Sequence, residues 1–312
     1  QSVPLINASY VQNIQINGVN LTGRGRSVCV IDTGINSSHE SLAGRVVAEK
    51  CFCDVTDDGL GGCCPDTTNE DTDATDDHGH GTHVAGIIAS NKTVIGVAPE
   101  ANIVAVKVAN SAGNALFSDI EQAVEWCVAN AEIYNMTVIS ISLGAGSYSA
   151  NCDATYSSLT ADITAAENKN ISVTVASGND GYTSNIAAPA CISNTISVGM
   201  TYDANVGGVA WSSGCTDSTT AIDKIACATN RNSLLDILAP GAIILSTSYT
   251  GSTTSKSGTS MAAPHMAGII TLLQQYEQDV EGKNLTVDTI NNSVRNGVIV
   301  SDAGGSGLNF IR

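Results

Sequence analysis

Basic residues are scarce in this chain. Thirteen Lys and Arg stand against 30 Asp and Glu over 312 residues, for a formal net charge of −17. Nucleic-acid binding needs a basic face, so the balance argues against that class of partner. A soluble, acidic, exported protein is the simpler reading than one with an acid-specific partner. No run of about 18 apolar residues occurs, so no segment reads as a membrane span. No internal repeat and no linker of domain-boundary composition interrupts the chain, which leads to the expectation of one domain over 1–312. The chain opens on Gln1 rather than Met, and the expectation is that any signal peptide or pro-segment has been removed or was never included. The ten cysteines contain no Cys-x-x-Cys pair. Disulfides in an oxidising compartment are therefore expected, and a secreted location with them. Zinc at Cys51, Cys53, Cys63 and Cys64 is disfavoured, because the spacing is irregular and adjacent cysteines chelate poorly. Eight Asn-x-Ser/Thr sequons, beginning with Asn7 and Asn20, are compatible with export.

What is present is a full apolar complement, 43% of residues, arranged in alternating strand-like and helix-like segments. Strands are expected at 27–32, 103–109, 137–143, 171–176 and 195–200. Helices are expected at 82–90, 118–130, 156–169, 259–278 and 287–295, with Ser118 and Asp119 capping the second. Such alternation predicts a three-layer α/β/α fold around a central, mainly parallel sheet. Active sites of these sheets lie at the C-terminal strand ends.

The segment from Cys51 to Asp77 breaks the pattern. It shows neither helical nor strand period and holds nine acidic residues, no basic one, and Gly59, Gly61, Gly62 and Pro65. It reads as a long surface insertion stapled by its four cysteines. Crowded carboxylates repel one another, and a flexible oxygen cage suits calcium. Asp54, Asp57 and Asp58 form one candidate cluster; Asp71, Asp73, Asp76 and Asp77 form another, leading directly into His80. A solvated acidic loop is the competing reading.

Three short motifs carry chemistry. Val28-Cys29-Val30-Ile31-Asp32-Thr33-Gly34 is an apolar run that ends in a carboxylate, as a buried strand would deliver it. His78-Gly79-His80-Gly81-Thr82-His83 places a glycine-flanked imidazole at the head of a small-residue helix. Gly258-Thr259-Ser260-Met261-Ala262-Ala263-Pro264-His265 places a hydroxyl at a helix N-terminus, among unpaired N–H groups. A serine becomes nucleophilic only when a neutral imidazole takes its proton, and that imidazole needs a carboxylate to fix its tautomer. Each residue alone has an ordinary reading: Ser260 as a helix cap, and Asn179 in Ser177-Gly178-Asn179 as a turn former. Asp-Thr-Gly is also the aspartic-protease signature, but that chemistry needs two such carboxylates and the chain has one.

The three motifs, in the order Asp, His, Ser, resemble the subtilisin family of serine proteases over nearly the whole chain. The resemblance implies a secreted serine endopeptidase with Asp32, His80 and Ser260 as its triad and Asn179 as an oxyanion donor. His78, His83, His39 and His265 are then loop or structural residues. It implies that Ser142, Leu143 and Gly144 form one substrate-pairing edge and Gly113, Asn114 and Ala115 the other. Phe117 would lid a more distant subsite, and Ala187, between Ile186 and Ala188, would lie near the floor of a neutral pocket favouring large apolar side chains. Asp180 would sit at its mouth. Protein or peptide substrates are the implied partners, together with the chain's own N-terminal pro-segment as inhibitor and folding aid. No organic cofactor is implied. Structural calcium is, with Asp236 and backbone oxygens of Ser193 and Thr195 as a third candidate site against a plain turn aspartate. The short loop after the His80 helix and Ser41 depart from the family's other calcium site. Cys152 and Cys191 look like a pair seen in relatives. Cys215 and Cys227 are expected to pair locally, the four insertion cysteines among themselves, and Cys29 and Cys127 to be buried free thiols. A narrow-specificity maturation protease and an inactive binding protein of the same fold are the alternatives.

Overall fold

A computed structural model describes residues 2–55, 62–295, 298–301 and 307–310. Its centre is a ten-stranded sheet. From one edge the order runs Val298–Ser301, Gly307–Phe310, Ile237–Ala242, Ile196–Tyr202, Ser172–Ala176 and Met136–Ile141. It continues through Ser27–Asp32, Asn102–Lys107 and Val46–Phe52 to Glu70–Asp71. All neighbours pair in parallel except at the two edges, where Val298–Ser301 and Glu70–Asp71 run antiparallel.

The strand side chains explain the layering. In Ser27–Asp32, Val28 and Val30 enter one apolar core while Cys29 and Ile31 enter the other. Ile103 and Ala105 alternate with Val104 and Val106 in the same way. A strand apolar on both faces must be covered on both. The helices His80–Ala89 and Thr259–Glu281 close the first core. Phe117–Tyr134 and Ser157–Asn168 close the second. The result is the expected three-layer α/β/α architecture.

Several elements differ from the sequence expectation. Cys51 and Phe52 end the Val46–Phe52 strand, and Glu70–Asp71 pairs back onto it, so the acidic insertion is rooted in the sheet edge rather than free of structure. Only Val47 in that strand is exposed, and the half-buried Glu49 and Lys50 interrupt its apolar residues, which hides its period. Ile237–Ala242 is a buried strand despite Pro240 and Gly241, residues that ordinarily punctuate turns. The helix cap expected at Ser118 and Asp119 is replaced by a start at Phe117 after extended Leu116, without a side-chain cap. Asp119 is instead buried and accepts the Asp54 backbone N–H at 2.9 Å. Burial, opposed by that hydrogen bond, pushes its pKa up to about 6.

Five disulfides are present: Cys51–Cys64, Cys53–Cys63, Cys152–Cys191, Cys215–Cys227 and Cys29–Cys127. The last corrects the expectation of two free thiols. Cys29 points to the core face that the Phe117–Tyr134 helix covers, and Cys127 is on that helix, so the two meet in one apolar layer.

Candidate active site

Asp32 is the last residue of its strand and is almost fully buried. One carboxylate oxygen, Oδ1, accepts the Thr33 N–H at 2.8 Å and lies 2.7 Å from His80 Nδ1. His80 heads the His80–Ala89 helix, and its flanking glycines have steric reasons. Gly79 sits at φ +88° with Tyr249 against it, and a Cβ on Gly81 would lie 2.2 Å from the Gly34 carbonyl. The helix can approach the Asp32 turn only without those side chains.

Asp76 ties the same two segments together. Its Oδ1 accepts from Thr33 Oγ1, His78 N and Gly79 N at 2.8–3.1 Å. Its Oδ2 accepts from the Thr82 N–H at 3.0 Å and the Thr82 hydroxyl at 2.6 Å. A carboxylate at a helix start answers N–H groups that have no intrahelical acceptor.

The imidazoles separate electrostatically. Burial is the largest influence on His80 and opposes its charging, but the charge and hydrogen bond of Asp32 together outweigh it and raise its pKa. His83 and His265 are buried and pushed down to about 4. His83 Nε2 bonds the Ile244 and Thr254 carbonyls, and His265 Nδ1 the Met261 carbonyl. His78 is lowered by burial and by its neighbours His80 and Lys256. His39 is bonded between Ser252 and Ser41. Among these rings, His80 is the one placed against a carboxylate.

Ser260 is the second residue of the Thr259–Glu281 helix. Pro264, four residues on, has no N–H to give the Ser260 carbonyl. The Ser142 hydroxyl takes that place at 2.9 Å, and the Ser260 hydroxyl donates in return to the Ser142 carbonyl at 3.0 Å. This reciprocal pair fixes the end of the Met136–Ile141 strand against the head of the helix. Asn179 follows the Ser172–Ala176 strand. Its Oδ1 accepts from the Thr259 N–H at 2.8 Å and the Thr259 hydroxyl at 3.2 Å.

His80, Ser260 and Asn179 line one open cavity of about 620 Å³. Ser142, Leu143, Gly144, Gly113 and Ala187 line it too. The Ala187 Cβ lies between Gly144 and Gly178, 3.5 and 3.1 Å from where their Cβ atoms would be. Ala109 pairs with Ala115 across a tight turn in which Asn110 and Asn114 bond each other, which presents Gly113 beside His78. Phe117 is not in the cavity wall; its ring packs on Tyr156 at 4.6 Å. Asp180 is at the rim, held by Asn230 Nδ2 at 2.9 Å. Tyr182 and Asn230 are contributors that sequence reasoning missed, because nothing in their local composition marks them.

Among the described residues the expected calcium ligands do not converge. Asp76 spends both oxygens on five donors, as above. Asp77 pairs with Lys107 Nζ at 2.7 Å. Asp71 bonds the Thr72 N–H and Asp73 the Thr75 N–H and hydroxyl. Asp54 is exposed, and Asp57 and Asp58 lie outside the described residues. Asp236 accepts from the Ser197 N–H and hydroxyl at 2.9 Å, as a turn aspartate does, although Ser193 and Thr195 share a small cavity with it. Among the described residues no three Asp, Glu, His or Cys side chains are grouped to hold a metal ion. Asp71, Asp73, Asp76, Asp77 and Asp236 do not fit the cage expected of them, because each has a donor of its own.

The fold and site thus describe a three-layer α/β protein that gathers a carboxylate, an imidazole, a serine hydroxyl and an amide around one cleft. The sequence profile of the subtilase family matches residues 23–310, and the chain belongs to that family. It is similar to subtilisin-like protease 3 of Trichophyton equinum, 34% identical over 251 residues, covering 79% of this chain and 52% of that protein. It is similar to serine protease AprX of Bacillus subtilis, 33% identical over 323 residues, covering 93% and 65%. A crystal structure of a cold-adapted subtilisin-like serine proteinase matches with a TM-score of 0.70 at 28% identity, covering 98% of this chain and 97% of that one. The chain spans about half to two thirds of the length of these two curated relatives.

Proposed function

We propose that the protein is a secreted serine endopeptidase of broad specificity. The observation that carries this reading is the 2.7 Å contact of His80 Nδ1 with Asp32 Oδ1 at the wall of the cavity that Ser260 and Asn179 also line. With Nδ1 turned to the carboxylate, Nε2 is the ring atom left to take a proton. Rotation of the Ser260 side chain away from the Ser142 carbonyl would bring its hydroxyl to that nitrogen. Attack on a peptide carbonyl then forms the C–O bond as the hydroxyl proton passes to His80. The tetrahedral oxyanion takes hydrogen bonds from the Ser260 N–H and the Asn179 amide. Collapse breaks the C–N bond; His80 returns its proton to the leaving amine, and an acyl-enzyme remains on Ser260. Water, deprotonated by His80, hydrolyses it.

The substrate would lie extended between Ser142–Gly144 and Gly113–Ala115, recognised through its backbone. The alanine floor favours an apolar side chain before the scissile bond. In the family reading, a pro-segment fills the same cleft until it is removed. Five disulfides support an oxidising, extracellular destination.

Labelling with a fluorophosphonate, followed by peptide mapping, tests the reading. Modification of Ser260 in the parent and none in a folded Ser260→Ala variant is expected. Peptidase activity should fall about 10⁶-fold in that variant, a magnitude known from another member of the family. A folded Ser260→Ala protein that retains substantial peptidase activity overturns the assignment. Absence of labelling in the parent favours the inactive binding protein.

A further inference from the structure

We propose that Lys107 is a positioning residue for this reaction, whose buried ammonium clamps together the three segments that carry Asp32, His80 and the Gly113 edge of the cleft. The inference rests on the peptidase reading for its catalytic consequence, but the clamp can be measured without it.

Lys107 ends the Asn102–Lys107 strand and stands opposite Asp32 in the parallel register. It is the only charged residue in a strand whose other residues are apolar or Asn102, and its side chain is fully buried. Removing a charge from water is costly unless hydrogen bonds replace hydration. Here they do: Nζ donates to the Thr33 carbonyl at 3.1 Å, the Ala109 carbonyl at 2.7 Å and Asp77 Oδ1 at 2.7 Å. Three acceptors match the three N–H bonds of an ammonium.

Each acceptor belongs to a different part of the site. Thr33 follows Asp32 directly. Asp77 precedes His80 by three residues. Ala109 opens the tight turn that presents Gly113 to the cleft beside His78. No apolar side chain could bind all three. Asp77 is 42% exposed, so the ion pair runs from the sheet to the surface and gives the acidic run the cation that a metal was expected to supply. Catalysis by a triad is sensitive to displacements of about 1 Å, which can cost on the order of 100-fold in rate. A tie between the base-bearing loop and the carboxylate turn acts on that tolerance directly.

The test uses Lys107→Met, which keeps the length of the side chain, and Asp77→Asn, which removes charge at the half-exposed end. For each folded variant, kcat, KM, the fluorophosphonate labelling rate and amide hydrogen exchange over 76–82 and 109–115 are measured. Lys107→Met is expected to lower kcat and the labelling rate together by about 10- to 100-fold, with KM moving less than about threefold, and to speed exchange in both segments. Asp77→Asn is expected to lower both rates by several-fold and to speed exchange over 76–82. A stabilising role alone would lower the melting temperature and leave kcat, labelling and local exchange at parental values in the folded protein; that result overturns the proposal. If Lys107→Met does not fold, Asp77→Asn decides by the same criteria. If the parent itself is not labelled at Ser260, the peptidase reading fails, while the exchange data still decide the clamp.

Discussion

Thr259 gives both its backbone N–H and its hydroxyl to Asn179 Oδ1, at 2.8 and 3.2 Å. The residue beside the proposed nucleophile therefore sets the orientation of the proposed oxyanion donor. With the amide oxygen committed, the NH₂ group is the face left for the cleft. The same hydroxyl accepts the Gly178 N–H at 3.1 Å, so the loop carrying Asn179 is held as well as its side chain. Asn179→Ala is expected to reduce kcat by about 10²–10³ with little change in KM, the range seen on removal of an oxyanion donor in a subtilisin. Thr259→Ala should give a smaller loss in kcat, since one of the two donors to Oδ1 survives. Steady-state kinetics on one peptide substrate check both; an unchanged kcat in Asn179→Ala removes it from the oxyanion site.

The pH dependence follows from His80. It accepts a proton only when neutral, and Asp32 holds its pKa above the ordinary 6.5 despite burial. The acid limb of kcat/KM should therefore have its midpoint above 6.5, with activity falling as pH drops through it. Stability runs the other way. The protonated His80 paired with Asp32 stabilises the fold below the unfolded-state pKa, and this contribution is lost as pH rises through the folded value. A pH–rate profile with its maximum near about pH 4 would point to carboxyl chemistry and remove His80 as the base.

Much of this was legible in the sequence, and the failures share a cause. The Ser27–Asp32 strand shows at both bounds because β-branched residues fill both of its faces, and the Thr259 helix shows at its start because a glycine precedes it. The Val46–Phe52 strand was hidden by Glu49 and Lys50, which interrupt its apolar residues, and Ile237–Ala242 by Pro240 and Gly241. In the site, the residues proposed to do the chemistry stood in short motifs, whereas Lys107, Asp76 and Asn230 each reach a partner 30 to 50 positions away. Such pairings depend on strand register. A lone lysine in the apolar run 103–109 was the one available signal. Composition alone suggests a metal cage in the acidic segment, because it cannot show that the Thr33 and Thr82 hydroxyls, backbone N–H groups and an ammonium answer Asp76 and Asp77.

The Cys29–Cys127 bridge carries a prediction of its own. It links the strand that delivers Asp32 to the helix behind it, with 98 positions between its ends. A closure of that size contributes up to about 4–5 kcal/mol by the chain-entropy account. The double replacement Cys29→Ala/Cys127→Ala should therefore lower the unfolding free energy by up to that amount, measured by denaturant titration, while the active-site residues remain in place. Non-reducing peptide maps should recover the linked peptides. Two thiols titrating in the denatured, unreduced protein would restore the free-thiol expectation.

Asp76 distinguishes a metal ligand from a structural carboxylate. Its two oxygens accept five hydrogen bonds, from Thr33, His78, Gly79 and Thr82, and it is 5% exposed. An asparagine there keeps one acceptor oxygen but turns an NH₂ group toward N–H or O–H donors. Buried donors are left unpaired, at about 1–3 kcal/mol each. Asp76→Asn is thus expected to lower the melting temperature by several degrees, given roughly 2–4 °C per kcal/mol for a large domain. It should also lower kcat, because the same oxygens seat the N-terminus of the His80 helix against Thr33. If Asp76 served a calcium ion, its loss would matter only in the presence of calcium, and parent and variant would melt together in a chelator. If it serves the hydrogen-bond network, the gap between their melting temperatures is the same with chelator as without. Thermal unfolding of the two proteins under both conditions decides, and convergence of the two curves in chelator would return Asp76 to the metal.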